Sequence, residues 1–186
     1  MHFRFTQTAI DTDAARRELL DGGAGAFTSF EGWVRNHNEG QEVTLLEYEA
    51  FQELAVKEGA RIVAEALQRF AVLHARCIHR VGALKVSDMA VWVGVSSAHR
   101  GEAFDACRFI IDEVKHRVPI WKKEHYRSGD SGWVNCERCA AAPSSTAPTQ
   151  GHHHHGEAAA PGAEAAALRA EAAALGAEAI AHSARK

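Results

Sequence analysis

The sequence predicts an α+β fold. Two long stretches carry apolar residues at helical spacing, and they sit among several shorter segments that alternate or run apolar as strands do. The composition breaks sharply near residue 140, so these elements belong to a body of 1–139 followed by a tail of 140–186.

Taken in order, "HFRFT" (2–6) alternates like a strand, and "DTDAARRELL" (11–20) opens on an aspartate suited to cap a short helix. "AGAFTSFEGWVRN" (24–36) and "VTLLEYEA" (43–50) read as strands, with the polar "HNEGQE" (37–42) as a hairpin-like connection. From 53 to about 70 the residues Leu54, Ile62, Ala66 and Phe70, with Val63 and Leu67 alongside, recur at helical spacing. Strands follow around "HARCIHRVG" (74–82) and "MAVWVGVSS" (89–97), then a second long helix over roughly 100–116. Pro119 disfavours helix in the residue before it, so "PIWKKEHY" (119–126) is expected to be extended. "GWVNCERC" (132–139) closes the body.

Composition narrows the function. A chain of 186 residues, 46% hydrophobic and 24% charged, can bury one ordinary globular core. A formal charge of −3 argues against a general nucleic-acid binder and confines any anion site to a local cluster. Four cysteines are too few for a disulfide scaffold in a domain this large. Neither a signal-type h-region nor an apolar run of about 18 residues is present, so a cytoplasmic protein without a membrane partner is expected. All Phe, Tyr and Trp precede the tail. Its first half reads as a linker. Its second half repeats Glu157, Glu164, Glu171 and Glu178 every seven residues, with Leu168 and Leu175 on the same period. One leucine per heptad is a thin seam, open to a loosely helical appendage or to an assembly helix.

The chemistry gathers around the second helix. Ser96 or Ser97 can cap it, and His99 and Arg100 beside free backbone N–H groups suit a phosphate, although both also fit as plain polar residues of a first turn. Lys115, His116 and Arg117 stand at its far end, where cations also simply complement the helix dipole. Lys122 and Lys123 are neighbours on an extended segment, so one can face solvent while the other faces a pocket. A lysine in a partly dry pocket beside other cations has a lowered pKa and can act as nucleophile or base; surface charge is the plainer reading. Arg35 ends a strand and opens an Asn/His-rich loop, a frequent place for ligand contacts. "CERC" (136–139), with His152 to His155 nearby, offers two thiolates and two imidazoles to zinc, but a lone CxxC is half a site.

In order and spacing, "VRNHN" (34–38), "IHRVG" (78–82), "SSAHR" (96–100) and "DEVKHRVPIWKKE" (112–124) resemble the large, catalytic subunit of molybdopterin synthase, the MoaE family, over roughly residues 3–135. The resemblance implies an α/β-hammerhead fold and a sulfurtransferase. That enzyme converts cyclic pyranopterin monophosphate into molybdopterin, taking sulfur from the C-terminal thiocarboxylate of a small ubiquitin-like subunit. It further implies a homodimer of large subunits within a heterotetramer. Carried over by motif, Lys115 and Lys122 are catalytic, and His99, Arg100 and Arg35 bind substrate. Trp33, Val34, Lys123 and Glu124 are placed with the substrate-binding residues. No resident metal or cofactor is implied, and because the partner brings the sulfur no catalytic cysteine is needed. Cys77 and Cys107 then read as core residues.

His99 and Lys115 stand roughly 24 Å apart along a helix at 1.5 Å per residue, too far to hold one pterin within one chain. A two-fold dimer could join one chain's helix start to its mate's helix end. Two rivals stand beside this reading. A non-catalytic binding module would be free to lose Lys115 and Lys122, and a phosphate-ester hydrolase lacks its carboxylate cluster or nucleophile motif here.

Overall fold

The computed structural model describes residues 2–135. The tail of 140–186, the pair Cys136 and Cys139, and the run His152 to His155 lie outside the described residues.

The elements in chain order are β1 (Phe3–Thr6), α1 (Thr12–Arg17), β2 (Ala26–Trp33), β3 (His37–Asn38), β4 (Gln41–Ala50), α2 (Gln52–Arg69), β5 (Val72–Arg80), β6 (Gly82–Lys85), β7 (Met89–Ser97), α3 (Arg100–Arg117), β8 (Ile120–Tyr126) and β9 (Ser131–Asn135). The predicted mixture of helix and sheet is the one observed. Asp11 caps α1 as its position suggests, accepting a hydrogen bond from the Ala14 N–H at 2.9 Å.

One sheet has the order β1-β5-β7-β2, with β1 parallel to β5 and the other pairs antiparallel. α2 and α3 cover one face of it, and α1 covers part of the other through Ala15 and Leu19 against Ile78 and Trp92. β7 is therefore covered on both faces, which explains its unbroken apolar run. α2 turns Ala55, Gly59, Ile62, Val63 and Ala66 inward. Gly59 is required by close approach, because a Cβ there would collide with the Phe3 ring. Complete burial of Phe3 contributes about 2 kcal/mol of hydrophobic stabilisation.

The second sheet runs β3-β4-β8-β9, with β6 on the other side of β4. β3 and β4 form a hairpin whose two turn residues, Glu39 and Gly40, both have positive φ (48° and 80°). That is the backbone of a tight two-residue turn. Arg117 then clamps the two long helices, donating to Glu58 and Glu65 of α2 and to Glu113 of α3 at 2.7 to 3.0 Å.

Three sequence expectations need correction. β2 ends at Trp33 rather than running on to residue 36, because its register shifts at Gly32/Trp33. The expected strand 74–82 continues after Val81 into a separate strand, β6, that leaves the first sheet for the second. Neither Ser96 nor Ser97 caps α3. Both are buried in β7, the Ser97 hydroxyl donates to the His99 carbonyl, and His99 occupies the cap position without a side-chain bond.

Candidate active site

A cavity of about 270 Å³ opens where the end of β2, the middle of β4, the end of β5, the last turns of α3 and the start of β8 converge. Each contributes a side chain with chemistry, and a local reason puts each one there.

β2 delivers Trp33 and Arg35. Between them Val34 is buried, and its backbone is locked to the turn before β7: its N–H donates to the Asp88 carbonyl and its carbonyl accepts from the Ser87 N–H, both at 2.9 Å. Ser87 holds that turn at a φ of 71°. With Val34 as the fixed pin, both its neighbours reach the cavity lining. Trp33 is more than half exposed at the rim, its indole donating to Glu31 at 3.2 Å.

The α3–β8 junction delivers the lysines. Val118 is extended (φ −80°, ψ 126°) because Pro119 follows it, so the helix stops and β8 starts at once. Lys115, in the last helical turn, and Lys122, on the inward face of the new strand, thereby line the same cavity. The predicted alternation holds. Lys122 is 7% exposed, while Lys123 points to the other face and lies over the Trp133 ring, 5.9 Å from its centroid. Lys115 lies 5.9 Å from the Phe30 centroid.

Glu124 shares the inward face with Lys122 but does not line the cavity. It is 2% exposed, stands 3.1 Å from the Lys122 ammonium, and accepts from the Tyr126 hydroxyl at 2.7 Å. The hydrogen bond to the carboxylate raises the Tyr126 pKa, since the phenol is held in its donating form. Glu124 therefore neutralises and orients Lys122 from behind.

Two further lining residues, Tyr48 and His79, carry no role in the sequence expectations. Tyr48 is the register partner of Lys122 across β4 and β8, so correct strand pairing would have found it. His79 is buried, with Nδ1 2.7 Å from the Arg80 carbonyl oxygen. Burial pushes its pKa down to about 4; the nearby Lys115 charge adds to this and the bond to Arg80 opposes it. Arg35, Lys115 and Lys122 thus form a cationic wall around a neutral imidazole, and none of the described lining residues is a carboxylate.

His99 and Arg100 are not gathered with them. Both are exposed at the start of α3, an unbroken helix of 18 residues from its cavity end. The buried Cys77 and Cys107 keep thiols raised by burial, Cys107 to about 11, which is inert core behaviour.

The MoaE protein family model matches residues 5–117. The chain belongs to the MoaE family. The molybdopterin synthase catalytic subunit of Synechococcus elongatus is 48% identical over 130 residues, covering 68% of this chain and 79% of the relative. That of a Nostoc species is 40% identical over 138 residues, covering 74% and 84%. Among solved structures, molybdopterin synthase from Staphylococcus aureus superposes with a TM-score of 0.68 at 36% identity, over 71% of this chain and 96% of that one. A complex of subunits 1 and 2 of molybdopterin-converting factor from Helicobacter pylori shares the fold at 20% identity, with a TM-score of 0.60 over 71% and 89% of the two chains. The MoaE match ends at Arg117, so Lys122, Lys123 and Glu124 fall beyond it, within the span expected from motif spacing.

Proposed function

We propose that this MoaE chain is the catalytic subunit of a molybdopterin synthase. It converts cyclic pyranopterin monophosphate into molybdopterin with sulfur from the C-terminal thiocarboxylate of a small ubiquitin-like subunit. The observation that carries the reading is the convergence of Arg35, Lys115 and Lys122, from three separate elements, on one small cavity with no carboxylate among its described lining residues. Such a wall holds anions: the thiocarboxylate of an incoming tail and the phosphate of a pterin.

Lys122, backed by Glu124, presents a fixed ammonium. It and Lys115 stabilise the oxygen on which charge develops when sulfur leaves the acyl carbon. Glu124 acts through Lys122 rather than on substrate. Val34 pins the backbone that carries Arg35, and Lys123 serves the outer face of its sheet. His99 and Arg100 complete the site from a second copy of the chain, because one helix holds them away from their own cavity. The small subunit is the partner by which sulfur arrives, as the two-subunit composition of the Helicobacter pylori complex suggests.

The test is direct. Mixing the chain with thiocarboxylated small subunit and cyclic pyranopterin monophosphate yields dithiolene product, read by fluorescence after oxidation, and Lys115→Ala abolishes it. A folded chain that binds the small subunit yet makes no product points to a binding module instead.

A further inference from the structure

Every charged side chain among the described residues lining the cavity is a cation, and sulfur transfer releases a proton that an ammonium or guanidinium cannot take. The other titratable groups among the described lining residues are Tyr48 and His79, and of these the imidazole carries a ring nitrogen with a basic lone pair. Geometry also selects the nitrogen. Nδ1 faces the Arg80 carbonyl, which can only accept, so Nδ1 carries the hydrogen and Nε2 the lone pair. The ring is held edge-on by Tyr48 at 5.0 Å and Phe5 at 6.1 Å between centroids. A base whose tautomer and orientation are both fixed is prepared for proton transfer.

We propose that His79 is the proton acceptor of the sulfur-transfer reaction, its Nε2 taking a proton from the water that cuts the sulfur free of the small subunit. This rests on the function proposed above. Once sulfur has bonded to the pterin side chain, it is still joined to the glycine carbonyl carbon of the small subunit. Water oxygen bonds to that carbon as the carbon–sulfur bond breaks. The water's proton passes to Nε2 and then to sulfur, leaving a carboxylic acid on the subunit and a thiol on the pterin, with no change of oxidation state.

The surroundings make the base responsive to substrate. Facing it are Lys115 from α3, Lys122 from β8, Tyr48 from β4 and Arg35 beyond β2; its register partners Phe5 on β1 and Val91 on β7 bring no charge. Burial, with Lys115 adding to it, keeps the imidazole neutral. A bound thiocarboxylate or phosphate offsets the lysine charge and moves the imidazole's proton affinity toward the working pH.

The experiment follows a single turnover of the complete two-subunit enzyme with His79→Gln and His79→Asn. Glutamine places an amide near Nε2 without a basic lone pair, and asparagine keeps a donor for the Arg80 carbonyl. The expected result is a fall in product rate of about 10²-fold or more. With it, an acyl-sulfur adduct joining small subunit and pterin accumulates, visible by intact mass. Wild-type rates in both variants, or lost rate without the adduct, overturn the proposal while wild-type turnover preserves the function. Absence of product from the wild type overturns both. If neither variant folds, ¹⁵N NMR of wild type decides: a neutral Nδ1–H tautomer at pH 7 supports the assignment, and an Nε2–H tautomer overturns it.

Discussion

At its first turn α3 presents His99 and Arg100 to solvent; at its last it sends Lys115 into a cavity and ties Arg117 to three carboxylates. Both ends are rich in cations, yet among the described residues only one has a wall to work against. The difference lies in the strands that flank the helix. Before α3 the strand β7 is spent on the core of the first sheet, so His99 is left exposed among the described residues. After α3, Pro119 forces an immediate strand, and β8 lays Lys122 beside Lys115. Helix ends acquire chemistry from their neighbours.

The sharpest way to break this contrast is at the cavity end. Lys122→Ala is expected to cut product formation by about 10²- to 10³-fold. It is also expected to cost about 3 to 5 kcal/mol in urea unfolding, since Glu124 loses its buried counter-charge. A variant that unfolds as the wild type does would show that Glu124 does not depend on this ion pair.

A smaller effect tests the clamp beside it. Hydrogen bonding from Arg117 holds the Glu65 carboxyl down to about 2, against an ordinary 4.5. A depressed carboxyl contributes stability that is complete above about pH 4.5 and lost as the pH falls toward 2. Urea midpoints of the wild type should therefore drop between pH 5 and pH 3, and Arg117→Ala should remove part of that drop. Identical slopes for both proteins would mean that the clamp does not hold Glu65 in solution.

The smallest effect on stability belongs to the helix start. Arg100→Ala should unfold within about 0.5 kcal/mol of the wild type. Its loss of activity should be partly recovered in mixed dimers with Lys122→Ala, where one cavity of a pair regains both residues. No recovery would place Arg100 and Lys122 in separate functions.

Much of this was legible in the residues alone. Asp11 as a cap and the opposed faces of Lys122 and Lys123 follow from local backbone rules, and the structure obeys them; the "HNEGQE" segment does turn, but it joins β3 to β4, because the strand before it, β2, pairs with β7 instead. The illegible part required register. Tyr48 joins the site because it pairs with Lys122 across two strands distant in sequence, and His79 because β5 carries its end beneath Lys115. Glu124 looked like a ligand contact beside two lysines, but tertiary burial made it the support of one of them. The serine caps failed for the same reason: β7 continued through them into the core.

The first strand carries a consequence for synthesis. Among the described elements β1 is synthesised ahead of its sheet partner β5, which begins only at Val72, and ahead of the hollow over Gly59 in α2 that its Phe3 ring needs. Until those arrive, an aromatic edge segment waits unpaired in the nascent chain, exposed to other strands and to chaperones. This strand is locked in only after synthesis has run on through α2 and β5.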